Sequence, residues 1–185
     1  YLSFCYNMNM QIHIRLAEKT DLFQYTNLLQ KTYEKAYVNE ALGLTKECFS
    51  KAVFNSENTQ DYLKSRLKIT EKQKTWLVLI EEKLVGSITY ISTDKNQGEL
   101  AGFYVDPDYQ GQGIGKKLYS YFMKHISIGN LVLDLYCHNI KAIEIYKRWG
   151  WKIDISRGQK GYFYRHWPEW PENLQAKCMY MRLDR

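Results

Sequence analysis

The chain reads as an α/β protein, an α+β arrangement on a mixed sheet flanked by helices, and three stretches carry that reading. Residues 11–17 alternate Ile12, Ile14 and Leu16 with polar side chains, the period of a half-buried strand. Residues 76–80 and 84–91 are apolar runs joined by Glu81-Glu82-Lys83, the pattern of an antiparallel hairpin. Residues 99–136 pass from an apolar strand through a glycine-rich elbow and an amphipathic helix into a second apolar strand. That order gives a parallel pair with a right-handed crossover.

Taken in sequence, residues 1–10 are expected to be a poorly ordered leader or tag-like segment, with Met8 or Met10 as a natural start, and residues 11–185 a single domain. Asn7 and Asn9 break the apolar opening and no basic region precedes it, which argues against a signal peptide. After the first strand, Leu22, Tyr25, Leu29, Thr32, Tyr33 and Ala36 recur at helical spacing behind Thr20 or Asp21 as cap. Short helical pieces are expected at 45–54 and 59–67, before the hairpin, and residues 94–98 turn the chain into the strand that starts at Glu99. The elbow helix places Ile114, Leu118, Tyr121, Phe122 and Ile126 on one face and Lys116, Lys117, Ser120 and Lys124 on the other, with Gly129 and Asn130 expected to end it. Residues 131–136 are the parallel neighbour strand, 139–149 the next helix and 176–183 the last strand.

Composition narrows the function classes. Hydrophobic residues make up 45% and charged residues 25% of the 185, ordinary for a globular protein, and no apolar run reaches the roughly 20 residues of a membrane helix. Cys5, Cys48, Cys137 and Cys178 lie far apart without a Cys-x-x-Cys pair, so neither zinc nor a disulfide framework is indicated, and reduced thiols in a cytoplasmic protein are expected. A formal charge of +6 permits nucleic-acid contact, yet the basic residues are spread along the chain with no run of five or six, so nucleic acid is not the expected partner.

The chemistry concentrates between Glu99 and Lys117. Asp106-Pro107-Asp108 closes the strand as a turn, and Gly111, Gly113 and Gly115 then lead into the helix. Glycines at a helix start let a bulky anion approach unpaired amides while the helix dipole favours its charge, so phosphate is the natural guest. The Walker A pattern fails, because Lys116 is followed by Lys117 and Leu118 rather than by Ser or Thr. The dinucleotide fingerprint fails too, since the chain has Gly-x-Gly-x-Gly, separated from its strand by residues 107–110.

What remains is Gln-x-x-Gly-x-Gly at Gln110, Gly113 and Gly115, after Val105-Asp106-Pro107, followed downstream by Asn139, Ala142, Tyr146, Gly150 and Trp151. In both blocks the chain resembles the GNAT superfamily of N-acetyltransferases, sharply over residues 99–151 and weakly over 12–155. The resemblance implies the GNAT fold, a central sheet of six to seven strands with two parallel strands splayed apart at the coenzyme site. It implies transfer of an acetyl group from acetyl-coenzyme A, with no metal, to a primary amine of a small molecule, polyamine or peptide. For the coenzyme it implies the amides of Gln110, Gly111, Gln112, Gly113, Ile114, Gly115 and Lys116 on the pyrophosphate, and Phe103, Tyr104 and Val105 along the pantetheine arm.

Two residues acquire catalytic readings beside plainer ones. Attack on a thioester needs a neutral amine, so a base is useful, and Glu99 at the strand start resembles the family's glutamate base; the plain reading is an exposed carboxylate at a strand end. Tyr146 matches the family's proton donor to the departing thiolate, but Ala142, Ile145, Tyr146 and Trp149 also make a packing stripe. Asn139 is either a helix N-cap or a hydrogen-bond partner of pantetheine. Tyr33, Tyr37, Phe49 and Phe54 are candidate pocket walls or core. The run 161–172 packs Tyr162, Phe163, Tyr164, Trp167 and Trp170 around His166, Glu169 and Glu172. Trp167 and Glu169 would receive a cationic amine there, or the segment packs on the sheet or on a second copy of a homodimer. An acetyltransferase acting on aminoacyl-tRNA and a non-catalytic coenzyme-binding module are the other readings that residue pattern leaves open.

Overall fold

The computed structural model describes residues 11–184; the expected leader 1–10 lies outside them. One eight-stranded sheet organises the chain. β1 (Ile12–Leu16) pairs antiparallel with β2 (Gln73–Ile80), and β2 with β3 (Lys83–Ser92). β4 (Gln97–Val105) runs antiparallel to β3, and β5 (Asn130–Tyr136) parallel to β4. β6 (Lys152–Ile153) and β7 (Tyr162–Arg165) both pair with β8 (Ala176–Asp184), which lies antiparallel to β5. Beyond the six to seven strands expected, the additions are β6 and β7, too short to show a period in the sequence.

The hairpin turn is tighter than the three residues expected. Lys83 already pairs with Ile80, leaving Glu81 and Glu82 at φ of 48° and 64°. Two successive left-handed residues make the turn whose twist matches the strands it joins.

Helices cover both faces. On one, α1 (Leu22–Tyr37), α2 (Lys51–Phe54) and α3 (Glu57–Arg66) bring Tyr25, Leu29, Tyr33, Phe54 and Leu63 against Leu77, Leu79 and Leu84. On the other, α4 (Ile114–His125) and α5 (Ile140–Arg148) bring Ile114, Leu118, Phe122 and Ile143 against Val78, Ile88, Leu131 and Met181. β2 is therefore buried on both sides, which is why it reads as a continuous apolar run. Each fully buried Leu or Phe contributes about 1.5–3 kcal/mol.

Two boundary expectations are corrected. Asp21 stands at the N-terminus of α1 but gives no side-chain cap; its carboxylate accepts from Arg15 Nη1 and Nη2 at 2.7 Å and from the Glu18 amide at 2.7 Å. A charged fork outcompetes a helix amide for the same oxygens. α4 stops at His125 rather than at Gly129, because Ile126 turns to extended backbone and buries its side chain. Ser50 and Ser56 cap the two short helices, accepting from the Val53 and Thr59 amides.

Candidate active site

The site begins with a mismatch between two strands. β4 and β5 pair only from Gln97–Asn130 to Glu99–Val132, and beyond that Leu100–Val105 and Leu133–Tyr136 diverge. A cavity of about 460 Å³ opens between them, lined by Glu99 through Tyr104 from β4, Leu133 through Tyr136 from β5, and Asn139, Ala142 and Tyr146 from the N-cap and one face of α5. Facing backbone edges that do not pair with each other are an extended ligand's natural partners.

A bulge decides which β4 side chains face which way. Thr89 pairs with Gly102 and Tyr90 with Leu100, so Ala101 is the extra residue. Leu100, Phe103 and Val105 pack on the α4–α5 side, whereas Tyr104 packs on the α1–α3 side. Strict alternation would have put Tyr104 on the face of Leu100, four residues back; the extra residue moves it to the opposite one. Glu99 is half-buried, and among the described residues nothing donates a hydrogen bond to its carboxylate. Burial, and after it the charge of Asp134, push its pKa above the ordinary carboxylate range, against a smaller pull from Arg66, Arg157 and Arg165.

Across the cleft, Tyr146 projects from α5 between Trp149 and Trp151, with ring centroids 6.1 and 5.7 Å away, and burial pushes its hydroxyl pKa well up. Asn139 caps α5, its Oδ1 accepting from the Ala142 amide at 3.2 Å, and also lines the cavity. The cap therefore accounts for one of its two expected roles and leaves the other open to it.

Past the end of β4 the chain builds the cradle, which adjoins the cavity without lining it. Asp106 is buried, caps a short 3-10 turn by accepting from the Asp108 amide at 2.9 Å, and accepts from Lys31 Nζ at 2.6 Å. Lys31 also donates to Asp108 at 2.6 Å, so α1 anchors the loop from outside. Gly111 and Gly113 lie at φ of 79° and 80°, and Gly113 opens α4 with no side-chain cap. The first bond back into the turn is Lys117 N–H to Gly113 at 3.0 Å, which leaves the amides of Ile114, Gly115 and Lys116 ahead of it at an open helix start. Phe103 lies beneath Gly115, and the Val105 carbonyl accepts from Gln110 Nε2 at 3.1 Å.

Lys31→Met should cost about 1–2 kcal/mol in chemical denaturation, less than the loss of a fully buried pair because Lys31 is 39% exposed. An unchanged midpoint would show that the anchor is idle.

The aromatic wall assembles on the α1–α3 side. Tyr33 and Tyr104 share a hydroxyl hydrogen bond of 2.9 Å, and Tyr37 packs on Tyr33 and on Tyr136 at 4.7 and 4.5 Å. Trp167 and Trp170 stack 5.6 Å apart; Trp170 is buried and donates to the Cys48 carbonyl at 3.1 Å. Tyr33, Tyr37, Trp167 and Glu169 all reach the cavity, but Glu169 accepts from Ser56 Oγ at 2.6 Å and so also ties its segment to α3. Arg66, Asp134, Tyr136 and Arg165, none of them among the expected site residues, share this cavity. The one available signal was Asp134, a lone carboxylate inside an apolar strand; it is paired with Arg165 at 2.5 Å.

A model of the acetyltransferase (GNAT) family matches residues 32–151, more than half of the chain, which therefore belongs to that family. Its fold is shared with the PaiA N-acetyltransferase of Thermoplasma acidophilum in complex with coenzyme A, at a TM-score of 0.69 and 18% identity over 95% of this chain and 100% of that one. It is shared too with the ribosomal-protein-S18-alanine N-acetyltransferase of Escherichia coli, at a TM-score of 0.66 and 17% identity over 94% and 93%. A spermine/spermidine N(1)-acetyltransferase of Bacillus subtilis is 32% identical over 59 residues, 30% of this chain, and the match spans 39% of that protein's length. No helix among the described residues is long and apolar enough to cross a membrane.

Proposed function

We propose that the chain transfers an acetyl group from acetyl-coenzyme A to the nitrogen of a primary amine, with Glu99 as base and Tyr146 as acid. The observation that carries this is the convergence of those two side chains, from opposite walls, on the single cavity where β4 and β5 part. The cradle fits a pyrophosphate: Gly111 and Gly113 have open space where a Cβ would stand, and the first amides of α4 point outward uncapped. The diverging strand edges suit the amide-bearing arm, with Asn139 within reach of it. The 59-residue match to a spermine/spermidine N(1)-acetyltransferase supports an amine acceptor.

The thioester supplies an acyl carbon open to attack by a neutral amine. Glu99 takes the proton from the incoming ammonium, and its raised pKa brings it nearer the operating pH, where a general base works best. As the C–N bond forms and the C–S bond breaks, the Tyr146 hydroxyl gives its proton to the departing sulfur. Burial keeps that hydroxyl protonated until then. Glu99 passes that proton to water and takes the second one when the new C–N bond makes the nitrogen cationic, leaving a neutral amide; Tyr146 regains its proton from water, and one proton is released overall.

Thiol release against a panel of amines tests the reading. A thiolate with an intrinsic pKa near 8.5 leaves without much help, so Tyr146→Phe should lower kcat by about 10–100-fold, the low end for acid catalysis, with coenzyme A affinity within a few-fold. Undiminished kcat in that variant would remove Tyr146 from the chemistry.

A further inference from the structure

The cavity carries five charged side chains, Glu99, Asp134, Glu169, Arg66 and Arg165, and their pairing leaves two over. Arg165 and Asp134 form an ion pair at 2.5 Å, and Glu169 is held by the Ser56 hydroxyl. Glu99 has no ion-pair partner among the described residues. Nor does Arg66, whose guanidinium stands 4.7 Å over the Tyr62 ring with its Nε buried and unbonded. One anion and one cation thus line the same aromatic cavity without contacting each other.

We infer that the acceptor is a small amine that also carries a carboxylate, an amino-acid-like zwitterion whose nitrogen meets Glu99 and whose carboxylate meets Arg66. This rests on the amine-acetylating reading above and narrows it. Opposite charges held apart across a partly desolvated space complement a zwitterion and oppose a second cation, so a polyamine is the disfavoured ligand. A phosphate would add a second negative charge beside Glu99 and Asp134, whereas a carboxylate balances Arg66 alone. A guanidinium fork matches a carboxylate in two parallel bonds, the geometry a lysine would not provide.

The test reads binding and turnover separately. The protein with coenzyme A bound is titrated by calorimetry with glycine, longer ω-amino acids and α-amino acids, each paired with its own amide, and with spermidine. The same compounds then enter the thiol-release assay with acetyl-coenzyme A. The acid of the best pair should bind about 10–100-fold more tightly than its amide, the worth of a charged hydrogen-bonded contact. That ratio should fall to within about threefold in Arg66→Gln and be partly kept in Arg66→Lys, which also serves if the glutamine variant folds poorly. Arg66→Glu should turn the preference toward spermidine.

Equal binding of acid and amide by the native chain overturns the inference. So does spermidine as its best ligand, or an acid preference that survives Arg66→Gln. Arg66-dependent carboxylate binding without thiol release would sink the acetylation reading and keep the zwitterion site. Thiol release indifferent to the carboxylate would do the reverse.

Discussion

Glu99→Gln is expected to lower kcat/KM for the amine by about 10²–10⁴-fold at neutral pH, the usual contribution of a general base, and to raise the melting temperature at the same time. The amide keeps the shape of the side chain but cannot take a proton. Both effects come from one cause: burial, reinforced by Asp134, holds the Glu99 carboxyl above its ordinary range. For the rate, the base works only when ionised. The acidic limb of the pH profile should therefore lie higher than an unperturbed glutamate would set it, with activity rising as pH climbs through it, and should vanish in the variant. For stability the sign is opposite. The folded chain binds this proton more tightly than the unfolded chain, so the contribution is fully present below the unfolded pKa and lost as pH rises through the folded one. Replacing the carboxylate should help most above that window, and the gap in melting temperature should widen from mildly acidic to neutral pH. A variant that keeps native kcat/KM, or that melts lower at neutral pH, would return Glu99 to an ordinary structural carboxylate.

The contrast between β4 and α1 shows what residue pattern conveys. The helical spacing of Leu22, Tyr25, Leu29 and Tyr33 is local, and the helix follows it, because burying that stripe is favourable whichever surface covers it. A cap at Thr20 or Asp21 is also a local signal, but the Asp21 carboxylate is taken by Arg15, six residues back and on another element, which offers it two charged donors. On β4 the alternation of side chains is legible, but the extra residue at Ala101 is set by how β3 and β4 align across the sheet. Gly102 beside it was the one hint, since a glycine inside a strand often marks a bulge.

The site divides in the same way. The cradle is contiguous in sequence and its glycines report backbone geometry directly, so Gly111 and Gly113 are found at the left-handed φ that makes them useful. The aromatic wall of the cavity is built from α1, α3, β5 and the 161–172 segment, which only the fold brings together. Arg66 lies in the last turn of α3, where a basic side chain is commonplace. Nothing in its neighbours Ser65 and Leu67 announces that it lines the same cavity as Glu99.

Gly113→Val should lower coenzyme A affinity by about 100-fold or more, the worth of losing about two hydrogen bonds to a charged group, while Gln110→Ala changes it by about threefold or less. Nothing lies within 4 Å of a Cβ built at Gly113, so space is not the obstacle. The obstacle is φ of 80°, where an L-residue costs about 1–2 kcal/mol and a β-branched one more. The strain relaxes if the peptide turns, and that rotation carries off the amides of Ile114, Gly115 and Lys116. Gln110 is exposed, and its side chain only bridges the Val105 carbonyl and Lys141, at 3.1 Å each. Calorimetric titration of both variants with coenzyme A, beside thermal melts to show that each remains folded, separates backbone from side chain. Equal losses would mean that the glutamine side chain, and not the shape of the glycine turn, holds the anion.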